Sequence, residues 1–283
     1  MVTEQNKTGL PQKIPIKHVE SNYPGKQMIY ERIVSLTPSI TEVLFALGTE
    51  ERLVGVTDAC DYPPDANSKS HVCSWFNPDM DRISDLKADL VLGLSTAHTQ
   101  LEPLLKDRGI RLVLFNPVAV EETLADMKSL GALLGVSEAA ESLVKGLKHR
   151  MKKLAAQVKQ IKPEARLTVS RILDIDDEQL IVAGPKSFQY DVIEQAGGIN
   201  VTTDIHEAYP TVSFQRFKTW DPDMIFLCGS DHSYISRLQA DPQWQSLAAI
   251  RNGKIHQFDC GLTCRTGPRI VDMAELLFQT LYA

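Results

Sequence analysis

Four of the five cysteines, Cys60, Cys73, Cys260 and Cys264, fall in segments rich in Gly, Pro and Asp, and His98 and His232 fall in similar surroundings. Thiolate and imidazole are soft to borderline ligands, so this set suits zinc, iron or cobalt. The spacings are C-x12-C for the first pair and C-x3-C for the second, neither of them the tight C-x-x-C knuckle of a structural zinc site. Two readings stand side by side: Cys60, Cys73, Cys260 and Cys264 ligate a metal ion or an iron–sulfur centre, or they are reduced thiols packed around a ligand cleft. Cys228 ends the apolar run Met224-Ile225-Phe226-Leu227-Cys228 and reads as a buried core thiol. An odd number of cysteines cannot all pair within one chain, which argues against a disulfide framework.

Other loops carry polar and aromatic groups of similar interest. Thr37-Pro38-Ser39 offers hydroxyls, Trp75 and Tyr209 offer flat faces for stacking or fill hinge and core positions, and Arg265 and Arg269 offer guanidinium forks for anionic groups. Asp58 and Asp61 form an acidic couple beside Pro63-Pro64, where aspartates commonly make turns. The templates for phosphate and acyl chemistry are missing: no G-x-G-x-x-G follows the first apolar run, there is no G-x-x-x-x-G-K-[ST], and no G-x-S-x-G marks a nucleophile elbow.

These loops need elements to hold them. Arg32–Leu36, Leu53–Val56, Asp89–Leu94 and Arg111–Phe115 are short apolar runs without alternation, which suits strands of parallel sheets buried on both faces. Ile40, Val43, Leu44 and Leu47 recur at helical spacing until Gly48. A longer period, Leu143, Leu147, Met151, Leu154, Val158 and Ile161, predicts an amphipathic helix from Ser137, as N-cap, to Lys162, roughly 37 Å long. Beyond Pro163 the strand pattern restarts with Leu167–Ser170, Leu180–Ala183, Asp223–Cys228 and Lys254–Phe258. Two segments echo the first half: Pro38–Gly48 resembles Lys186–Gly197, and Lys87–Gly93 resembles Asp221–Leu227. The expected organisation is a flexible leader over 1–29, an α/β lobe over 30–136, a connecting helix over 137–162 and a second α/β lobe over 163–283. In such sheets ligands bind beyond the carboxyl ends of the strands, where the loops above would face one cleft.

The chain has 283 residues, 43% hydrophobic and 23% charged, with a formal net charge of -6. That is an ordinary globular composition with no basic field, so nucleic acid is not an expected partner. No run approaches the roughly 20 apolar residues of a membrane helix. The first 30 residues carry no secretory signal, so the expected location is cytoplasmic if the sequence is native, and periplasmic or lipid-anchored and extracellular if a signal has been trimmed.

The segments Arg32–Glu42, Leu53–Val56, Cys60–Pro64, Asp81–Ile83 with Leu86–Leu92, Tyr209–Ser213 and Gly267–Arg269, in that order, resemble the helical-backbone substrate-binding proteins of ABC importers, most of all their vitamin B12-binding branch. The resemblance covers about residues 31–281. It implies two Rossmann-like α/β lobes with central parallel sheets, joined by a single long rigid helix, with a ligand held between them and little hinge closure. It implies a non-enzymatic monomer, without a catalytic cofactor, that captures cobalamin or a related corrinoid and works with an importer permease and, through it, an ATPase. By position, Trp75 matches a cleft tryptophan of the branch, Tyr209 falls where another tryptophan stands, and Thr37-Pro38-Ser39 matches the first-strand loop. Asp58, His98 and Arg265 complete the expected ligand-binding set, with His98 or a thiolate as an axial ligand. Asp81 matches the acidic residue that docks one lobe on the permease, while Gln215 stands where the second lobe's docking glutamate belongs. Ala59 and Leu94 replace aromatics that face the corrin. Heme, an iron chelate, or a metal or iron–sulfur centre held by Cys60, Cys73, Cys260 and Cys264 are the alternatives of the same fold, and an intracellular cofactor-handling protein or enzyme is the alternative of another class.

Overall fold

Each apolar run of the sequence becomes a strand. The computed structural model describes residues 29–74, 77–176, 179–231 and 233–282. The first half forms β1 (Ile33–Ser35), β2 (Leu53–Thr57), β3 (Ser70–Ser74), β4 (Asn77–Pro78), β5 (Leu90–Leu94) and β6 (Arg111–Phe115), and the second forms β7 (Thr168–Asp176), β8 (Gln179–Val182), β9 (Ile199–Asn200), β10 (Thr211–Ser213), β11 (Met224–Cys228) and β12 (Ile255–Phe258). The strand orders are β4-β3-β2-β1-β5-β6 and β10-β8-β7-β11-β12, with β9 against β7.

The two α/β lobes have the expected parallel strands at the centre of their sheets, with antiparallel strands added at one edge of each. In the first lobe only the edge pair β3–β4 is antiparallel. In the second, β7, β9, β11 and β12 are mutually parallel, but β8 and β10 run antiparallel. The cause is connection length: β8 follows β7 too closely for a crossover, and only an antiparallel return can be made over so few residues.

Side chains alternate across both sheets. Ile33, Leu90 and Leu92 enter one core while Val34 and Val91 enter another on the opposite face. In the second lobe Phe226 faces inward and Ile225 and Leu227 face outward. The inward faces of the two sheets share a single core. It runs from Ile33, Leu44 and Leu90 through Val144, Leu147 and Leu154 to Val169, Phe226 and Leu277.

The middle three of those residues belong to the long helix, Ser137–Val158, about 33 Å in length. Ser137 is its first helical residue and Val136 occupies the cap position without a side-chain bond. The helix stops before Lys162 because Pro163 forces that residue into an extended conformation, φ -62° and ψ 142°. Arg150, midway along, binds Glu275 at 2.5 and 3.0 Å and Asp272 at 2.5 Å, which fixes the long helix to the C-terminal helix Ile270–Tyr282. No helix among the described residues is long and apolar enough to cross a membrane.

The internal echo has a backbone counterpart. Among the described residues, the two non-glycine positions with positive φ are Lys87 (50°) and Asp221 (39°), which are the first residues of the two echoing segments. Two positions on, Asp89 accepts the N–H groups of Glu31 and Arg32 just before β1, and Asp223 accepts the N–H and hydroxyl of Thr168 at the start of β7. Each aspartate thus sets the start of the strand that pairs with its own, β1 with β5 and β7 with β11.

Candidate functional site

The carboxyl ends of both sets of strands meet. Arg265, which follows the loop leaving β12, reaches the first lobe and donates to Ala59 O at 3.2 Å, to Glu42 Oε1 at 3.0 Å and to Asp61 Oδ1 at 2.7 Å. Arg269 holds both oxygens of the same Glu42 at 2.7 and 2.9 Å, and its guanidinium lies 3.8 Å from the Tyr62 ring centre. Glu42 is buried in the helix Pro38–Ala46. Gly267 allows this approach, since a Cβ there would come within 3.2 Å of Ser39 O and of Glu42 Oε2. Burial pushes the Asp61 carboxyl up, but the adjacent Arg265 outweighs it and holds the group below the usual carboxylate range. Arg265 and Arg269 thus join the two lobes.

The first-strand loop is also occupied internally. Thr37, Pro38 and Ser39 are buried. Thr37 and Ser39 share a hydrogen bond of 2.8 Å, and Ser35 Oγ donates to Thr37 O at 3.0 Å. Thr41 Oγ1 lies 2.9 Å from Ser35 Oγ and 3.2 Å from Cys60 Sγ, and Thr57 Oγ1 lies 3.2 Å from the same sulfur. These contacts use the hydroxyls to stabilise the loop in the form described.

The thiols regroup. Cys60 is 1% exposed and enclosed by the two threonine hydroxyls, so it acts as a packed, hydrogen-bonded thiol. Cys73 lies on β3, where burial, with Asp58, Cys60 and Asp79 nearby, pushes its pKa up to about 12. The cluster that does form is Cys228, Cys260 and Cys264, whose sulfurs lie within 4.8 Å of one another. Cys228, expected to be a core thiol, sits at the carboxyl end of β11 and only its backbone strand is core-like. Its sulfur is 3.3 Å from that of Cys264 and accepts from Arg171 Nη2 at 3.0 Å. The hydrogen bond from Cys264 lowers Cys228 to about 7 against burial, with Arg171 helping, and the same contact and burial raise Cys264.

His98 is fully buried, and its Nδ1 accepts the Leu94 N–H at 3.0 Å, which assigns the neutral tautomer with the proton on Nε2. Its ring packs on Gly93, where a Cβ would fall 2.7 Å from Nδ1. This geometry fits the ring into the turn that leaves β5. Asp58 pairs with His71 Nδ1 at 2.8 Å, part of the exposed surface. Tyr209 is 43% exposed and donates to Gln189 Oε1 at 3.0 Å. Burial of its hydroxyl raises the phenol pKa, Gln189 pulls it back, and Cys264 and Arg171, close enough to act on it, place it beside the thiol cluster. Trp75 and His232 lie outside the described residues.

Asp81 and Gln215 occupy matching places. Each is the second residue of a short helix, Met80–Asp85 or Phe214–Trp220, that follows an antiparallel edge strand, β4 or β10. Each helix has a side-chain cap, Asp79 or Ser213. Both residues are exposed, and Asp81 has only a 3.7 Å ion pair with Arg108.

Sequence reasoning missed Arg171 and Glu42. The signal for Arg171 was a charged residue directly continuing the predicted strand Leu167–Ser170. Glu42 gave no signal, because an acid in the first turns of a helix is ordinary.

A family model described as periplasmic binding protein matches residues 33–259. An uncharacterized ABC transporter substrate-binding lipoprotein of Bacillus subtilis (strain 168), YvrC, is 25% identical over 257 residues, 89% of this chain and 80% of its own. A vitamin B12-binding protein of Yersinia pseudotuberculosis (serotype O:3, strain YPIII) is 28% identical over 202 residues, 71% of this chain and 70% of its own. Among solved structures, a periplasmic heme-binding protein of Pseudomonas aeruginosa matches with a TM-score of 0.79 and 25% identity, covering 90% of this chain and 93% of that one.

Proposed function

Because this chain belongs to the periplasmic binding protein family, we propose that it is the substrate-binding component of an ABC importer that captures cobalamin, or a related corrinoid or metal chelate, between its two lobes. The observation that carries this reading is the convergence of the strand carboxyl ends of both sheets on one mouth, bridged by Arg265 and bordered by the half-exposed Tyr209. A ring of corrin size needs a broad apolar face with a few fixed polar groups. Tyr209 and Trp75 are assigned to the face, and the polar edge is assigned to Asp58, Gln189 and the backbone of the Thr37–Ser39 loop. The lobes are taken as 30–136 and 163–283, with the helix of 137–162 between them.

Docking is assigned to Asp81 and Gln215. Their equivalent positions, at the starts of two related helices, suit a two-sided contact with a membrane permease whose ATPase drives uptake. An acid on one side and an amide on the other makes that contact unequal in charge. The site of action is the extracytoplasmic face of the membrane, as the lipoprotein relative supports. No catalytic step is assigned.

The test is titration with cobalamin, cobinamide and hemin, followed by tryptophan quenching, on the chain and on its Trp75→Ala variant. The expected result is quenching by cobalamin that saturates at one equivalent and weakens at least tenfold in the variant without loss of thermal stability. Saturation by hemin alone would move the ligand to heme, and silence toward all three would end the chelate reading.

A further inference from the structure

Arg171 is 1% exposed, yet among the described residues its only hydrogen-bond acceptors are sulfur atoms, Cys228 Sγ at 3.0 Å and Cys264 Sγ at 3.6 Å. Its Nε and Nη1 have no hydrogen-bond partner, and among the described residues no carboxylate pairs with it. The remaining contact is the Phe226 ring, 5.6 Å from the guanidinium carbon. A permanently charged group buried in this way is costly unless a counter-charge stands beside it. Sulfur supplies one only as thiolate.

Three sulfurs stand there. Cys228 lies at the end of β11, Cys260 opens the helix Cys260–Thr263 after β12, and Cys264 follows that helix, so two strand ends and one helical turn set the triangle. Their sulfurs are all within 4.8 Å of one another, the shortest separation being 3.3 Å. Three thiolates around one ion at a metal–sulfur distance of about 2.3 Å would stand about 3.8–4.0 Å apart, within easy side-chain adjustment of this arrangement. Charge narrows the ion. Three thiolates and a divalent cation leave one negative charge, which Arg171 neutralises, whereas a monovalent ion would leave an excess. Exposed Cys260 gives the ion its way in.

We propose that Cys228, Cys260 and Cys264 form a three-thiolate site for one divalent soft cation of the zinc type, with Arg171 as its buried counter-charge. Each bound thiol gives its proton to solvent, and no electron moves. The site excludes Cys60 and Cys73, which lie in separate surroundings of the first lobe. It stands whether the cleft takes a corrinoid, heme or neither. Arg265, next to Cys264, also grips Glu42 and Ala59, so the filled site lies one residue from the junction between the lobes.

The full chain, reduced and handled without oxygen, is titrated with Cd2+ and followed by thiolate-to-metal charge-transfer absorption, and Zn2+ is then measured by competition with a chromophoric chelator. The expected band saturates at one equivalent. It is absent from Cys228→Ser and Cys264→Ser, and is retained in Cys73→Ser. Arg171→Met lowers the affinity at least tenfold and Arg171→Lys restores part of it, with metal-free thermal unfolding recorded for each variant to exclude misfolding. No band in the reduced chain, or a band that survives Cys228→Ser, overturns the proposal. A Cys228–Cys264 disulfide that resists reductant, with no band, overturns it as well. A cobalamin response that persists in the cysteine variants leaves the chelate reading untouched, so the two failures are told apart.

Discussion

Asp126 faces the same question as Arg171, a charge in a poor place for one, and answers it differently. It lines a small cavity with Val43, Phe115 and Met127, and burial, with Glu122 adding repulsion, raises its pKa to about 6. In the unfolded chain an aspartate titrates near 4, so between about pH 4 and 6 the folded state holds the extra proton and stability falls as pH rises. Asp126→Asn should therefore raise the melting temperature more at pH 8 than at pH 4. Equal shifts at both pH values would show that the carboxyl does not titrate as described. At this scale the sequence was partly legible. Loop composition singled out Cys260, Cys264 and Tyr209, but thiol pairing depends on which strand ends are neighbours, and Cys228 joined the cluster only because β11 lies beside β12.

Elements show where the halves are tied. Glu42 brings a carboxylate, 2% exposed, into contact with two guanidinium groups from the far end of the chain. Removing the charge leaves both arginines under-compensated, and breaking one partner of a buried pair costs about 3 kcal/mol. Glu42→Gln is expected to lower the unfolding free energy by about that amount in urea denaturation, and an unchanged midpoint would show that Asp61 and solvent compensate fully. Strands of four to six apolar residues could be read from the sequence to within a residue or two, except β7, which runs on to Asp176, six residues past the expected end, because its later residues pair with β8. β3, Ser70-His71-Val72-Cys73-Ser74, could not, because its polar residues carry no strand signal and its conformation comes from pairing with β2. The three-residue β10 is likewise set by β8. The reversal of β8 was missed because apolar content does not report direction.

At the scale of the molecule, the internal echo connects sequence to surface. The segments that echo in composition share a left-handed residue and a strand-setting aspartate, and six positions before that residue they place Asp81 and Gln215 on matching helices. In the transport role proposed here, Asp81→Ala is expected to leave chelate affinity within twofold and to cut uptake several-fold in vesicles carrying the permease. Uptake equal to that of the parent chain would remove Asp81 from the docking surface. Gln215→Glu is the complementary change and should strengthen uptake.

The core that passes from Ile33 and Leu90 through the long helix to Phe226 and Leu277 leaves the two lobes little freedom to swing apart, since parting them would expose buried apolar surface. In the transport role proposed here, a carrier built this way would keep almost the same silhouette whether laden or empty. Vacant copies then compete with laden ones for the same berth on the membrane, and each vacant visit delays a delivery. Supply is therefore best matched to cargo: beyond that ratio, additional carrier slows the traffic it serves.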